Sequence, residues 1–501
     1  MRRTPVVVAL VTLFLALLSG VAVASPEDAA DAVADDTRGR PTFEPGAIGI
    51  GDPYFPTDGN GGYDVRHYDL NLTYDPVTDV LSGTATIRAR ATQNLSAFNL
   101  DLAGLNVQSV HVDDRPADWS RAEDELTVTP RRGLRDRTRF TVVIKYNGIP
   151  ETLEDAFGQS GFFHTDDGAL VIGQPHVADT WFPVNDHPID KASYTIHITA
   201  PAGLQAISNG ILQRTRERNG WVTWTWDAEE PMASYLAMMA IGEFDLRAYR
   251  DSGIRYWDAL DPDLFAEPAE TGGTLGDVAE ASLARQPEVI AWLEDLFGRY
   301  PFSAAGGVVS DLDELGFALE TQTRPIYSKY FFNEPVSGDL VVVHELAHQW
   351  FGDSLAIERW SDIWLNEGFA TYSEWLWQER EGLATPQEIF DFIYTETPAD
   401  DEFWTILVGD PGPEPENLFH PAVYDRGAMT LHALRLTIGD EDFFRLVRRW
   451  AQANEGGTVS TDDFIALAER VSGDELDDLF NAWLFTGTKP ELPDSAEDAA
   501  A

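Results

Sequence analysis

Hydrophobic and polar positions change rhythm about half-way along the chain. Over residues 63–246 they alternate in short runs such as Tyr68-Asp69-Leu70-Asn71-Leu72, Ala85-Thr86-Ile87-Arg88-Ala89, Phe140-Thr141-Val142-Val143-Ile144 and Tyr194-Thr195-Ile196-His197-Ile198. Successive side chains of a strand point to opposite faces, so a period of two buries one face and leaves the other polar. Turn-rich segments separate the runs, as a mostly antiparallel β domain requires. After about Asp251 the spacing becomes helical. Residues 279–297 repeat at 3.6-type intervals and end at Gly298. Residues 340–351 predict a helix with Ser337 or Asp339 as cap and Gly352 as stop, and residues 364–381 one that ends at Gly382. Further helices are predicted around 428–436, 441–454, 461–471 and 475–485. The fold class is therefore multidomain α+β, an N-terminal antiparallel β domain followed by a mainly helical one, without internal repeats.

The ends have their own character. Arg2 and Arg3 precede an apolar run over 6–18, and Ala22-Val23-Ala24 precedes Ser25. This is the layout of a cleaved signal peptide at 1–24 and predicts a secreted, extracellular product, an uncleaved anchor being the weaker alternative. Residues 25–51 read as a flexible acidic leader, 52–247 as the β domain, 248–491 as the helical domain and 492–501 as a disordered acidic tail. No other stretch is long and apolar enough to span a membrane.

Composition narrows the chemistry. With 501 residues, 44% of them apolar, two or more packed cores are possible. Cysteine is absent, so disulfides, thiolate metal sites and cysteine nucleophiles are excluded. The net charge of −49 repels nucleic acid and anionic membranes and serves solubility. Any metal must sit on His and carboxylate.

Such a set is present. His344 and His348 in His344-Glu345-Leu346-Ala347-His348 are spaced i, i+4, so on a helix both imidazoles leave one face about a turn apart. Eighteen residues separate His348 from Glu367, enough to leave one helix, turn and enter a second. His₂Glu with an open fourth position is a catalytic zinc arrangement, because structural zinc sites close all four positions. Glu345, beside a ligand, is placed to take a proton from an attacking water and return it to a leaving amine.

The same residues carry a resemblance. Val343 to Glu374, with His-Glu-Leu-Ala-His-Gln-Trp-Phe-Gly-Asp and then Trp-Leu-Asn-Glu-Gly-Phe-Ala, is similar to the aminopeptidase N family of zinc metallopeptidases. Gly316-Phe317-Ala318-Leu319-Glu320-Thr321 stands where that family has a Gly-Ala-Met-Glu-Asn exopeptidase motif, with Leu319 for Met and Thr321 for Asn. Val423-Tyr424-Asp425-Arg426-Gly427 resembles the segment of the family's transition-state tyrosine. Gln174, then Trp181 through Pro188 and Lys191, resembles a substrate-facing stretch of its N-terminal domain. The resemblance runs from about Tyr63 to Pro493. It implies a saddle-like β-sandwich followed by a thermolysin-like catalytic domain, with one Zn²⁺ per chain on His344, His348 and Glu367. It implies aminopeptidase activity by metal-activated water, Glu345 as general base, and Tyr424 donating to the developing oxyanion. Glu320 would hold the substrate α-ammonium by a charge-assisted hydrogen bond, helped by Gln174.

Peptides with a free N-terminus are the implied partners, with no nucleic acid and no membrane span once the signal is cleaved; the oligomeric state stays open. Larger relatives add a helical C-terminal domain that roofs the site, and this chain stops near Trp483-Leu484-Phe485, which leaves a more open cleft as an expectation. The alternatives are an endopeptidase or another hydrolase on the same zinc, or an inactive extracellular binding module. For support of the metal-binding histidines, Asp353, Glu358, Asp362 and Glu374 are all near enough in sequence, and none stands out.

Overall fold

A computed structural model describes residues 41–155, 158–412 and 415–492. The signal segment, most of the leader and all but Leu492 of the tail lie outside the described residues. The alternating runs form an eight-stranded sheet in the order Ile211–Arg218, Trp221–Met232, Ala192–Pro201, Tyr63–Asp75, Val80–Ala91, Arg139–Gly148, Asn106–Val112 and Arg115–Pro116. Val65, Tyr68, Leu70, Leu72 and Tyr74 are buried along one strand of it while their neighbours face outward. Its pairs are antiparallel, save that Ala192–Pro201 runs parallel to Tyr63–Asp75. A five-stranded sheet packs against it, with Tyr74 meeting Phe162 at 5.4 Å between ring centroids. Order begins earlier than the alternation suggested. Glu44–Pro45 already pairs with the strand Leu95–Asp101, inside the stretch read as a flexible leader. Two residues are too few to show a period.

A further, four-stranded sheet lies mostly within the part read as helical: Asp245–Asp251, Ile254–Leu260, Ala304–Ser310 and Ile326–Ser328. Every residue of Ala304–Ser310 is buried, so that strand has no alternation to read. The 247/248 division falls inside the strand Asp245–Asp251, which pairs with Ile254–Leu260.

Nine helices are described: α1 (Leu275–Leu283), α2 (Gln286–Phe297), α3 (Pro335–His348), α4 (Trp364–Glu381), α5 (Pro386–Glu396), α6 (Pro421–Ile438), α7 (Asp440–Ala453), α8 (Thr461–Ser472) and α9 (Asp477–Leu484). The single helix expected over 279–297 is two, because Pro287 is compatible only with a helix's first turn and α2 starts anew at Gln286. Likewise α3 starts at Pro335 rather than near Leu340, Glu334 being extended before it. α5 was not expected, although Thr385 and Glu388 form a capping box at its start. α4 ends as expected, with Gly382 left-handed at φ 72°. No helix among the described residues is long and apolar enough to cross a membrane.

One crossing matters most for the site. α4 and α6 meet at Gly368 and Gly427, where a methyl group on Gly368 would lie 2.9 Å from the Gly427 backbone. Gly368 follows Glu367 and Gly427 lies three residues after Tyr424, so backbone contact here draws both side chains over α3.

Candidate active site

α3 and α4 bring the three metal-ligand candidates together. The imidazoles of His344 and His348 stand 4.8 Å apart, and Glu367 Oε2 lies 3.4 Å from His344 Nε2 and 3.3 Å from His348 Nε2. A tetrahedral zinc site with bonds of about 2.0–2.1 Å has ligand–ligand edges of about 3.3 Å, so both His–Glu edges already have the length such a polyhedron requires. Electrostatics agree. Burial disfavours both imidazolium forms, yet facing Glu367 outweighs it and raises His348 to about 9 and His344 well above its usual value, Glu374 helping at His344. Burial pushes Glu367 up, and the two imidazoles overcome it and hold its carboxyl at about 2. The point where the three atoms converge therefore favours positive charge, as a divalent cation supplies it.

Each histidine is held from behind. His344 Nδ1 is 2.6 Å from Glu374 Oε1, and His348 Nδ1 is 2.9 Å from the Phe351 carbonyl. Both contacts leave Nε2 to face the cavity. Of the four carboxylates considered from sequence, Glu374 alone reaches a histidine. Asp362 instead accepts from Thr461, and the Asp353 carboxylate is buried beside Gln349 and Lys191.

The cavity at this point holds about 460 Å³ and brings Gln174, Glu320, Glu345 and Tyr424 to the ligands. Glu345 Oε2 is buried without a hydrogen-bond partner among the described residues, and burial pushes its carboxyl up to about 8 while His344 and His348 pull the other way. Tyr424 stacks on His344, 6.2 Å between centroids, and burial with Glu367 nearby raises its phenol well above the usual value, so it remains a donor. Phe317, Phe331, Val336, Leu340 and Val341 give the remaining wall an apolar character.

Glu320 sits on a loop locked from two sides. Tyr235, from the β part, donates its hydroxyl to Glu320 Oε1 at 2.9 Å. Gln349, one residue past His348, donates to the Glu320 carbonyl at 3.2 Å and accepts from Thr323 N–H at 2.8 Å. Thr323 has φ 67°, a strained value for a β-branched residue, and its hydroxyl accepts from Gly210 N–H at 2.7 Å. Arg324, fully buried, closes the loop by donating to the carbonyls of Trp257, Ala305 and Gly210.

Of the stretch Gln174 to Lys191, Gln174 alone lines the cavity. Trp181 to Pro188 is buried, and Lys191, lowered to about 7 by burial, donates to the Asp353 and Ser354 carbonyls at 2.8 and 2.6 Å. It braces the turn after α3. Elsewhere Asp261, Asp263 and Asp311 also approach one another, but the Lys329 ammonium occupies that neighbourhood and pairs with Asp311 at 2.8 Å.

Comparison with known proteins gives the same architecture. Residues 65–236 match the Peptidase M1 N-terminal domain and residues 334–483 the Peptidase family M1 domain. The M1 zinc metallopeptidase from Deinococcus radiodurans has 30% identity and a TM-score of 0.77, over 89% of this chain and 99% of that one. The chain belongs to peptidase family M1. Zn²⁺ is accordingly its cofactor, and the edge lengths and charge at His344, His348 and Glu367 fit it. Aminopeptidase M1 of Arabidopsis thaliana is 24% identical over 83% of this chain and 50% of its own length, and the leucyl aminopeptidase of Saccharolobus solfataricus 24% over 86% and 54%. The chain thus spans about half the length of these curated M1 relatives. A mutant of the Deinococcus enzyme has been solved with a Tyr-Ser-Ala substrate.

Glu374 is one of four carboxylates that the sequence leaves equal, and Tyr235 and Gln349 are parts of this M1 site to which it does not point. Glu374 nonetheless had a signal: it lies seven residues after Glu367, two turns on along the same face of α4. Tyr235 and Gln349 had none, since nothing in a lone Tyr or Gln tells that it faces a loop 85 or 29 positions away.

Proposed function

We propose that this chain is a zinc-dependent aminopeptidase that removes N-terminal residues from peptides. The carrying observation is the buried Glu320 carboxylate, fixed by Tyr235 in the same cavity as the metal ligands. A free α-ammonium is the substrate group that pairs with such a carboxylate, and the pairing sets the first peptide carbonyl at a constant distance from the metal. Gln174 offers the ammonium a second, neutral acceptor.

When bound, Zn²⁺ supplies a Lewis acid that polarises the scissile carbonyl and acidifies the attacking water. The chain's own residues do the rest. Glu345 takes the water proton and passes it to the leaving amine as the C–N bond breaks. Tyr424 donates its O–H to the oxyanion that develops on the carbonyl oxygen, where a donor gains strength from burial. Glu374 and the Phe351 carbonyl keep both imidazoles aimed inward. The targeting segment read at 1–24 supports action outside the cytoplasm.

The test is a panel of aminoacyl-aminomethylcoumarins beside their N-acetylated counterparts, with wild type and Glu345→Gln both zinc-loaded. Turnover of the free-amine set alone, reduced by about 10²–10⁴ in Glu345→Gln, is expected for a lost general base. Turnover of the acetylated set would mean that amine capture does not govern the site. Silence on both sets with zinc bound would favour a binding module.

A further inference from the structure

The chain carries 84 acidic against 35 basic residues, a ratio that predicts mostly acidic linings for its surface grooves. Two grooves that share Arg139 reverse it, one of them lined by Arg115, Arg131, Arg132 and Arg135 beside Asp113. On the outer face of the eight-stranded sheet the other, of about 750 Å³, is lined by Arg66, His67, Arg88, Arg90, Arg137 and Arg139, with no carboxylate in its wall. Strand alternation builds it: Ile87, Ala89 and Phe140 are buried, so Arg88, Arg90 and Arg139 point outward. The strand register completes it. Arg88 stands opposite His67 and Thr141, and Arg90 opposite Asp64 on one side and Arg139 on the other.

Two of these cations are partly satisfied. Arg66 pairs with Asp64, and Arg137 lies 3.5 Å from Asp136, with both side chains exposed. Arg88, Arg90 and Arg139 form no ion pair and no hydrogen bond within the described residues. Like charges directly opposite on neighbouring strands repel, so Arg90 beside Arg139 is a cost that Asp64, opposite Arg90 on its other side and shared with Arg66, offsets only in part.

We propose that this face binds a flexible, phosphate-bearing polyanion strand. Guanidinium groups match phosphate oxygens two at a time and keep their charge at any physiological pH. Neighbouring strands are about 4.8 Å apart and alternate residues about 7 Å apart, so the cations repeat at intervals that suit closely spaced anions rather than one isolated ion. The −49 net charge does not forbid this, because at physiological salt the Debye length is about 8 Å and distant carboxylates are screened. The surface is separate from the cavity at His344, so its test does not depend on the peptidase reading.

The experiment titrates fluorescently labelled inorganic polyphosphate into the full chain and follows anisotropy. Binding is expected at about 50 mM salt and weakens about 100-fold by about 200 mM, the counterion-release slope for five phosphate contacts on a single strand. Arg88→Gln, Arg90→Gln and Arg139→Gln combined should weaken it at least about tenfold. Arg214→Gln, Arg216→Gln and Arg218→Gln make the same charge change on the edge strand Ile211–Arg218 and should leave it unaltered. The single variant Arg139→Gln guards against misfolding, since it removes a like-charge pair and should melt no lower than wild type. Equal loss in both triple variants would reduce the effect to net charge and overturn the proposal. So would absence of salt-dependent binding, orthophosphate binding as tightly per phosphate, or binding confined to phosphatidylglycerol vesicles.

Discussion

The half of the cavity that carries the metal-ligand candidates and the half proposed to capture the substrate amine are built in opposite ways. The metal half needs two helices: His344 and His348 come from one turn of α3, and Glu367 and Glu374 from two turns of α4. The amine half gathers Gln174, Tyr235, the 320–324 loop and Gln349 from segments far apart in sequence. The first is short-range geometry that a helix imposes wherever it forms. The second exists only when the β part and the helical part have packed. Damage to the two halves should therefore separate cleanly, one changing metal affinity and the other substrate recognition.

The sharpest break is Glu320→Ala. Removing one partner of a buried charge pair costs about 2–5 kcal/mol, so kcat/KM for free-amine substrates should fall on the order of 10²–10³. Zinc content measured by metal analysis should not change. Loss of zinc would mean that the halves are not independent.

Next in size is Glu374→Gln, which weakens the support of His344 and leaves His348, backed by a carbonyl, as it is. Zinc affinity read by chelator competition should drop about 10–100-fold, with free-amine selectivity retained once the metal is saturating. An unaltered affinity would show that the short contact to His344 does not hold it.

The smallest effect belongs to Tyr235→Phe, which deletes one hydrogen bond to Glu320 and nothing on the metal side. We expect KM for free-amine substrates to rise about tenfold with little change in kcat, a loss in the range of a hydrogen bond to a charged group. A fall in kcat at constant KM would place Tyr235 in the chemistry rather than in orienting the amine anchor.

This contrast also explains which parts of the fold could be read directly. α4 was expected at its observed bounds because its 3.6 spacing runs unbroken to the left-handed Gly382. The sheet around Ala304–Ser310 was not, because a strand buried on both faces has no period. α3 and α6 start earlier than expected, at Pro335 and Pro421, where proline in a first turn replaces the usual cap pattern.

Sequence by itself determined the oxygen- and nitrogen-only metal set, since cysteine is absent, and the ligand pairing His344–His348, since helical pitch alone puts them on one face. It also carried the outward row of arginines, because strand alternation leaves Arg88 and Arg90 no inner face. Tertiary structure decided what those groups meet. Whether Tyr424 lines the cavity beside His344 depends on the Gly368–Gly427 crossing, which carboxylate supports His344 depends on how α4 lies on α3, and the setting of Glu320 depends on Tyr235 crossing from one part to the other. Periodicity fixes the direction of a side chain relative to its own element. Its partner is fixed only by packing between elements distant in the chain.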